Sequence, residues 1–103
     1  MIILRNTYRF EPDQFFDEAY FVNKHFQLAR EILAPHFTAS RVLRAMAPDD
    51  ETPAERLIVE FEFPSEAVMK QALASPRMAD LAADNVNYTD KRGEISFLSD
   101  HKS

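Results

Sequence analysis

These 103 residues contain no cysteine and no tryptophan, and glycine occurs once, at Gly93. Without cysteine there is no disulfide framework, no thiol nucleophile and no thiolate metal site, and a reducing cytoplasm is the compartment that fits best. Phosphate-cradling loops need several glycines, so a nucleotide fold of that kind is excluded. Apolar runs stay far short of the roughly 20 residues of a membrane-spanning helix, and the opening MIILRNTYRF reads as a strand rather than a signal peptide. Positive charge is scarce too: 12 Lys+Arg against 17 Asp+Glu leave a net charge of −5. An acidic chain without a basic run suits neither nucleic acid nor an anionic membrane. The length fits one domain, 1–103, able to bury a core without covalent help.

What the chain does have is apolar side chains at regular spacing. From Phe15 to Leu33 there is neither Gly nor Pro, and Phe15, Ala19, Val22, Phe26, Ala29 and Leu33 step by four and three. That spacing lines one face of a helix, which a second stripe of Phe21, Leu28 and Ile32 widens. His25 lies inside this arc. Either Asp13 or Asp17 can cap the helix; if Asp17 does, Phe16 and Phe21 form a hydrophobic staple.

The remaining elements follow from alternation and punctuation. Residues 2–10 read as a strand with Ile2, Leu4, Asn6, Tyr8 and Phe10 on one face and Ile3, Arg5, Thr7 and Arg9 on the other. A second strand is expected over 37–46, a loop over 48–55, and a third strand over 57–63, with Leu57, Val59, Phe61 and Phe63 on one side. Ser65 caps a second helix, Ser75-Pro76 interrupts it, and it resumes through Asp84. A loop over 85–91 leads to a last strand, 93–99. The order β-α-β-β-α-β with right-handed crossovers predicts an α+β, ferredoxin-like fold: a four-stranded antiparallel sheet with two helices on one face. The other face mixes Ile3, Leu43, Ile58 and Leu98 with Arg5, Arg9, Glu60 and Glu62. A second copy packing there through cross-strand Arg–Glu pairs would account for both, so a homodimer through the open sheet face is expected.

Three patterns, in this order, resemble the EthD family of the dimeric α+β barrel superfamily. FDEAYFVNKHFQL (16–28) looks like the family's helix at Asp17, Tyr20, His25 and Leu28; the Ser75-Pro76 break precedes a helix ending near Asp84; and NVNYTD (85–90) matches the family's Asn-Tyr-Thr segment. The resemblance covers nearly the whole chain. Gln27 stands where the family usually has Pro, Gly93 where a Pro often follows the NYT segment, and the His-Phe-Gln run is similar to methylmuconolactone isomerases of the same superfamily. EthD is associated with bacterial degradation of alkyl tert-butyl ethers. Relatives on the fold include cofactor-free isomerases, cyclases, decarboxylases, quinone-forming monooxygenases and haem degraders; the last rely on a Trp, absent here.

The resemblance implies a ligand cavity between sheet and helices, reached by His25 as general acid/base and by Tyr88 as hydrogen-bond donor. Asn6, Tyr8, Val22, Phe26 and Asn87 are the expected substrate-binding residues. The bland alternatives are a core histidine satisfied by a neighbour, a Tyr88 ring whose hydroxyl reaches the surface, a packed Tyr8, and an Asn87 present for its turn preference. Asp17 reads as a cap, and Tyr20 as projecting toward partner or solvent. No tight histidine spacing suggests a metal, and no cofactor is expected. Besides a pure dimeric scaffold with no enclosed pocket, two functions remain open on this reading. One is cofactor-free proton transfer on a small organic compound, of isomerisation, cyclisation or decarboxylation type. The other is non-catalytic binding, as an accessory protein of an ether or aromatic degradation pathway.

Overall fold

A computed structural model describes residues 1–10, 13–44 and 55–100 of the chain. Four strands, β1 (Ile2–Phe10), β2 (Ala39–Arg44), β3 (Glu55–Phe63) and β4 (Glu94–Ser99), form one sheet in the order β2-β3-β1-β4. Every neighbouring pair is antiparallel. Because β3 runs opposite to both β1 and β2, those two point the same way with β3 between them. This is the split arrangement that the element order predicts, and the fold is the ferredoxin-like α+β one. Of the loop expected over 48–55, Glu55 instead starts β3 and the rest lies outside the described residues, as do residues 45 and 46 of the second strand.

The register pairs Ile2 with Phe63, Leu4 with Phe61, Asn6 with Val59 and Tyr8 with Leu57, so the alternating sets of β1 and β3 share one face. The helices cover it. Leu57, Phe61 and Phe63 are at most 3% exposed. Each such side chain contributes about 1.5–3 kcal/mol through burial.

The long helix departs from its expected form. It comprises α1 (Glu18–Tyr20), a π turn (Phe21–His25) and α2 (Phe26–Leu33), the Phe26 amide donating to the Phe21 carbonyl five residues back. A π turn accommodates one residue more than an α turn. The apolar stripe of α2, extended backward at α-helical spacing, therefore goes out of phase. Phe15 and Ala19 are exposed, Val22 is half-buried, and Phe21 and His25 take the buried face instead. Asp17 is the cap, its side chain accepting the Tyr20 amide at 3.0 Å, and the Phe16 and Phe21 rings lie 5.4 Å apart as the staple requires. Phe15 precedes the helix.

The second helical segment is α3 (Glu66–Leu73), capped by Ser65, then α4 (Met78–Ala83) and a 3-10 turn, Asp84–Asn87. Asn85 and Asn87 are thus helical rather than loop. These segments do not reach across β4, whose helix-side residues Ile95 and Phe97 stay 61% and 56% exposed. Among the described residues no helix is long and apolar enough to cross a membrane.

On the open face, Glu60 lies directly opposite Arg5 of β1 and Arg41 of β2. Arg5 Nε donates to one carboxylate oxygen at 2.7 Å and Arg41 Nε to the other at 2.8 Å, while Arg41 also reaches Glu62 at 2.8 Å. Glu60 is only 3% exposed. Burial pushes its carboxyl up, but the hydrogen bonds and charges of the two arginines outweigh that and hold it below its ordinary value of 4.5. Glu60→Gln is expected to cost about 1–3 kcal/mol in urea unfolding at pH 7, since the arginines lose their shared partner. A carboxyl held low in the fold stabilises above its unfolded value, so the gap between wild type and variant should close as pH falls below about 4.5.

Candidate active site

The segment 85–91 is built to hold Tyr88 inward. Phe16 pairs with Thr89 as an isolated bridge, the Asp17 amide donates to the Tyr88 carbonyl at 2.7 Å, and Thr89 Oγ1 donates to the Phe15 carbonyl at 3.1 Å. Asn85 Nδ2 donates to the Lys91 carbonyl at 2.9 Å, which turns Asn85 Oδ1 toward the Tyr88 hydroxyl. Thr89 and Tyr88 are buried, so the Tyr88 hydroxyl does not emerge at the surface.

A connected polar chain results within an aromatic cluster. Asn6 Nδ2 donates to Tyr8 Oη at 3.0 Å; Tyr8 Oη and Tyr88 Oη are 2.9 Å apart; Tyr88 Oη lies 3.2 Å from His25 Nε2; and His25 Nδ1 lies 2.9 Å from Asp84 Oδ2. The other oxygen of Asp84 accepts from Tyr20 Oη at 2.7 Å and from Asn87 Nδ2 at 2.9 Å. The His25 ring stacks on Phe21 at 5.7 Å and 19°. Thus Tyr20 turns inward rather than toward partner or solvent, and Asn87 serves Asp84 as well as its turn.

Electrostatics set the proton positions. Burial raises the Asp84 carboxyl, but hydrogen bonds from Tyr20, Asn87 and His25 outweigh it, so Asp84 is held below its ordinary value as a carboxylate. A carboxylate only accepts, so His25 Nδ1 carries the proton facing it. Burial lowers the His25 pKa below 6.5, more than the hydrogen bond and charge of Asp84 raise it. Near neutral pH the ring is therefore neutral with its lone pair on Nε2. Burial raises both tyrosines, which keep their protons. The Tyr88 hydroxyl has two acceptors for its one proton, Asn85 Oδ1 at 2.8 Å and His25 Nε2 at 3.2 Å, so Tyr8, which accepts from Asn6, donates to Tyr88. If Nε2 takes up a proton, both ring N–H groups have acceptors.

His25 stands where two spaces meet. An inner cavity of about 150 Å³ lies between sheet and helices, walled by Leu4, Phe26, Val59, Phe61 and other apolar side chains, with Asn6, Tyr8 and His25 at its polar end. An outer groove of about 570 Å³ shares Asn6, Tyr8 and His25 and adds Asn85, Tyr88, Arg92 and Gly93. Of the expected binding residues, Asn6, Tyr8 and Phe26 line these spaces. Val22 and Asn87 do not: the π turn rotates Val22 away, and Asn87 bonds Asp84.

Two further residues escaped the sequence reading. Asp84 ends a helix, where the dipole disfavours a carboxylate, so its position was itself a sign of compensating partners. Gly93 lies in close approach: a Cβ there would lie 1.9 Å from Asn6 Oδ1, an atom buried without a hydrogen-bond partner among the described residues. Among the described residues no three His, Asp or Glu side chains converge as a metal site.

Two outcomes check this arrangement. Tyr88→Phe leaves a buried partner of Tyr8 unmade and should cost about 1–3 kcal/mol by denaturant titration. By NMR, His25 should titrate below 6.5, and lower still in Asp84→Asn, which loses the raising charge. A histidine held low favours the fold above 6.5, so its contribution is lost as pH falls from there through the folded value.

The same architecture recurs in solved structures. An EthD-like protein from Ralstonia eutropha JMP134 is 21% identical with a TM-score of 0.81, over 94% of this chain and 88% of that one. An EthD family protein from Bacillus halodurans C-125 is 16% identical at 0.74, over 98% and 100%. SnoaB from Streptomyces nogalater, a cofactor-independent oxygenase, is 16% identical at 0.61, over 99% and 94%. At these identities the likeness is one of fold, the dimeric α+β barrel type. No curated protein matches the chain. The EthD domain model matches residues 9–92, and the chain belongs to the EthD family.

Proposed function

We propose that this EthD family protein takes a small, largely apolar organic molecule into the space between sheet and helices and moves a proton on it without a cofactor. The observation that carries this is the place of His25: a neutral imidazole, oriented by Asp84, at the polar end of an otherwise apolar cavity. As general base, Nε2 removes a proton from carbon alpha to a carbonyl; the C–H electron pair moves to the carbonyl oxygen as an enolate. The imidazolium so formed donates to Asp84 and Tyr88 Oη, and returning its proton at another carbon completes an isomerisation. The same acid/base pair suits cyclisation and decarboxylation. Phe26 packs the substrate, and Asn6 and Tyr8 close the polar end. A cavity of about 150 Å³ is the size that admits a benzene ring. The fold shared with a cofactor-independent oxygenase, SnoaB, supports chemistry carried by protein groups alone. A role in ether or aromatic degradation fits such a substrate.

The reading extends to a single-domain cytoplasmic protein that works as a homodimer through the open sheet face. There Leu43 is 41% exposed beside the Arg5–Glu60–Arg41 row. A second sheet laid on that row would cover the aliphatic residues while keeping the charges paired. Multi-angle light scattering at micromolar concentration should give twice the chain mass; a monomer removes the dimer.

Thermal denaturation against lactones, phenols, quinones and ether-degradation alcohols identifies the ligand class. A ligand at about 100 times its Kd adds about 2.7 kcal/mol, a shift of about 10 °C or more for a domain this size. With that class as substrate, His25→Ala should lower kcat by about 100-fold or more, and wild-type kcat/KM should rise with pH around a value below 6.5. Ligand binding without turnover in wild type would assign the accessory, non-catalytic role.

A further inference from the structure

Charge is distributed over the two spaces in one direction only. The inner cavity is walled by apolar side chains, and its polar end carries neutral groups: Asn6, Tyr8 and the neutral His25. The carboxylate of Asp84 sits behind His25 and faces neither space. The outer groove has one charged side chain on its wall among the described residues, Arg92, and no carboxylate. This is the opposite of what the net charge of −5 would put there by chance. The neighbouring acids turn elsewhere or do not line the groove: Glu94 lies 3.7 Å from Arg9, across the β1–β4 edge.

Building on the cavity reading above, we infer that the substrate is a carboxylic acid: an apolar ring that fills the inner cavity and a carboxylate that reaches Arg92 in the outer groove. Its reacting carbon then lies between them, beside His25, which lines both spaces. A guanidinium offers a planar fork of N–H donors that matches a carboxylate. Its hold at the outer end orients the molecule without competing for the polar groups at the junction. The apolar wall admits the ring but offers a carboxylate no partner, so the inverted pose is disfavoured by the cost of burying an unpaired charge. Gly93, next to Arg92, keeps the floor of the groove low because Asn6 Oδ1 occupies the space a side chain would take.

The test uses matched probes of graded length: phenylacetate, 3-phenylpropionate and 4-phenylbutyrate, each against its amide, by isothermal titration calorimetry. With wild type, at least one acid should bind about three- to tenfold more tightly than its amide, the range for an exposed but geometrically matched charge contact. In Arg92→Gln that preference should vanish while the amide still binds, which shows that the cavity is intact. Arg92→Lys should retain part of it. In wild type the preference should shrink as salt rises from about 0.01 to 1 M, because the Debye length falls from about 30 to 3 Å. Acids and amides binding alike in wild type, or an acid preference that survives Arg92→Gln, overturns this inference and leaves the cavity reading standing. Failure of all six probes to bind overturns the cavity reading, and this inference with it.

Discussion

Asp84 accepts from Tyr20 Oη and Asn87 Nδ2 on one oxygen and from His25 Nδ1 on the other, and through these bonds it joins the end of the second helical segment to the first. A carboxylate at a helix C-terminus is opposed by the dipole, so it persists there because three donors converge on it. The consequence for His25 is specific. Its ring can neither rotate nor exchange tautomers without breaking the bond to Asp84, and its lone pair is left on Nε2. Burial lowers the affinity of that nitrogen for a proton, and Asp84 partly restores it.

The π turn at Phe21–His25 shifts the phase of the first helix against the sheet. An uninterrupted α-helix in phase with Phe26, Ala29 and Leu33 would have set Val22 near the centre of the buried arc and His25 to one side of it. The extra residue instead brings Phe21 and His25 onto the buried face, one ring stacked on the other. The same slip leaves Ala19 in solvent. A local change of hydrogen-bond register thus decides which side chains sit at the centre of the buried face.

The sheet separates its two tasks by face. Toward the helices, the register of β1 against β3 gathers Leu57, Val59, Phe61 and Phe63 with Leu4 and Tyr8 into the core. On the other side, the same register sets Arg5, Glu60 and Arg41 in one row across three strands, so that a carboxylate is almost wholly buried by its own partners. Because strand side chains alternate, both follow from one register, and a slip of one residue would exchange the two faces.

The amino-acid pattern by itself determined the element order, the ferredoxin-like sheet, the core face of β3, the cap at Ser65 and the place of His25 within the buried arc. Each of these rests on local periodicity or on residue chemistry within a few positions. The motif resemblance likewise pointed to the EthD family, which the match over residues 9–92 bears out. Only the tertiary structure decided the rest. The π turn left no mark in composition, because apolar residues at both 21 and 22 allow either phase. The inward turn of Tyr20, the convergence on Asp84 and the approach of Asn6 to Gly93 join residues 64, 59 and 87 positions apart. Contacts of that range are set by how the layers close on one another, and no spacing along the chain encodes them.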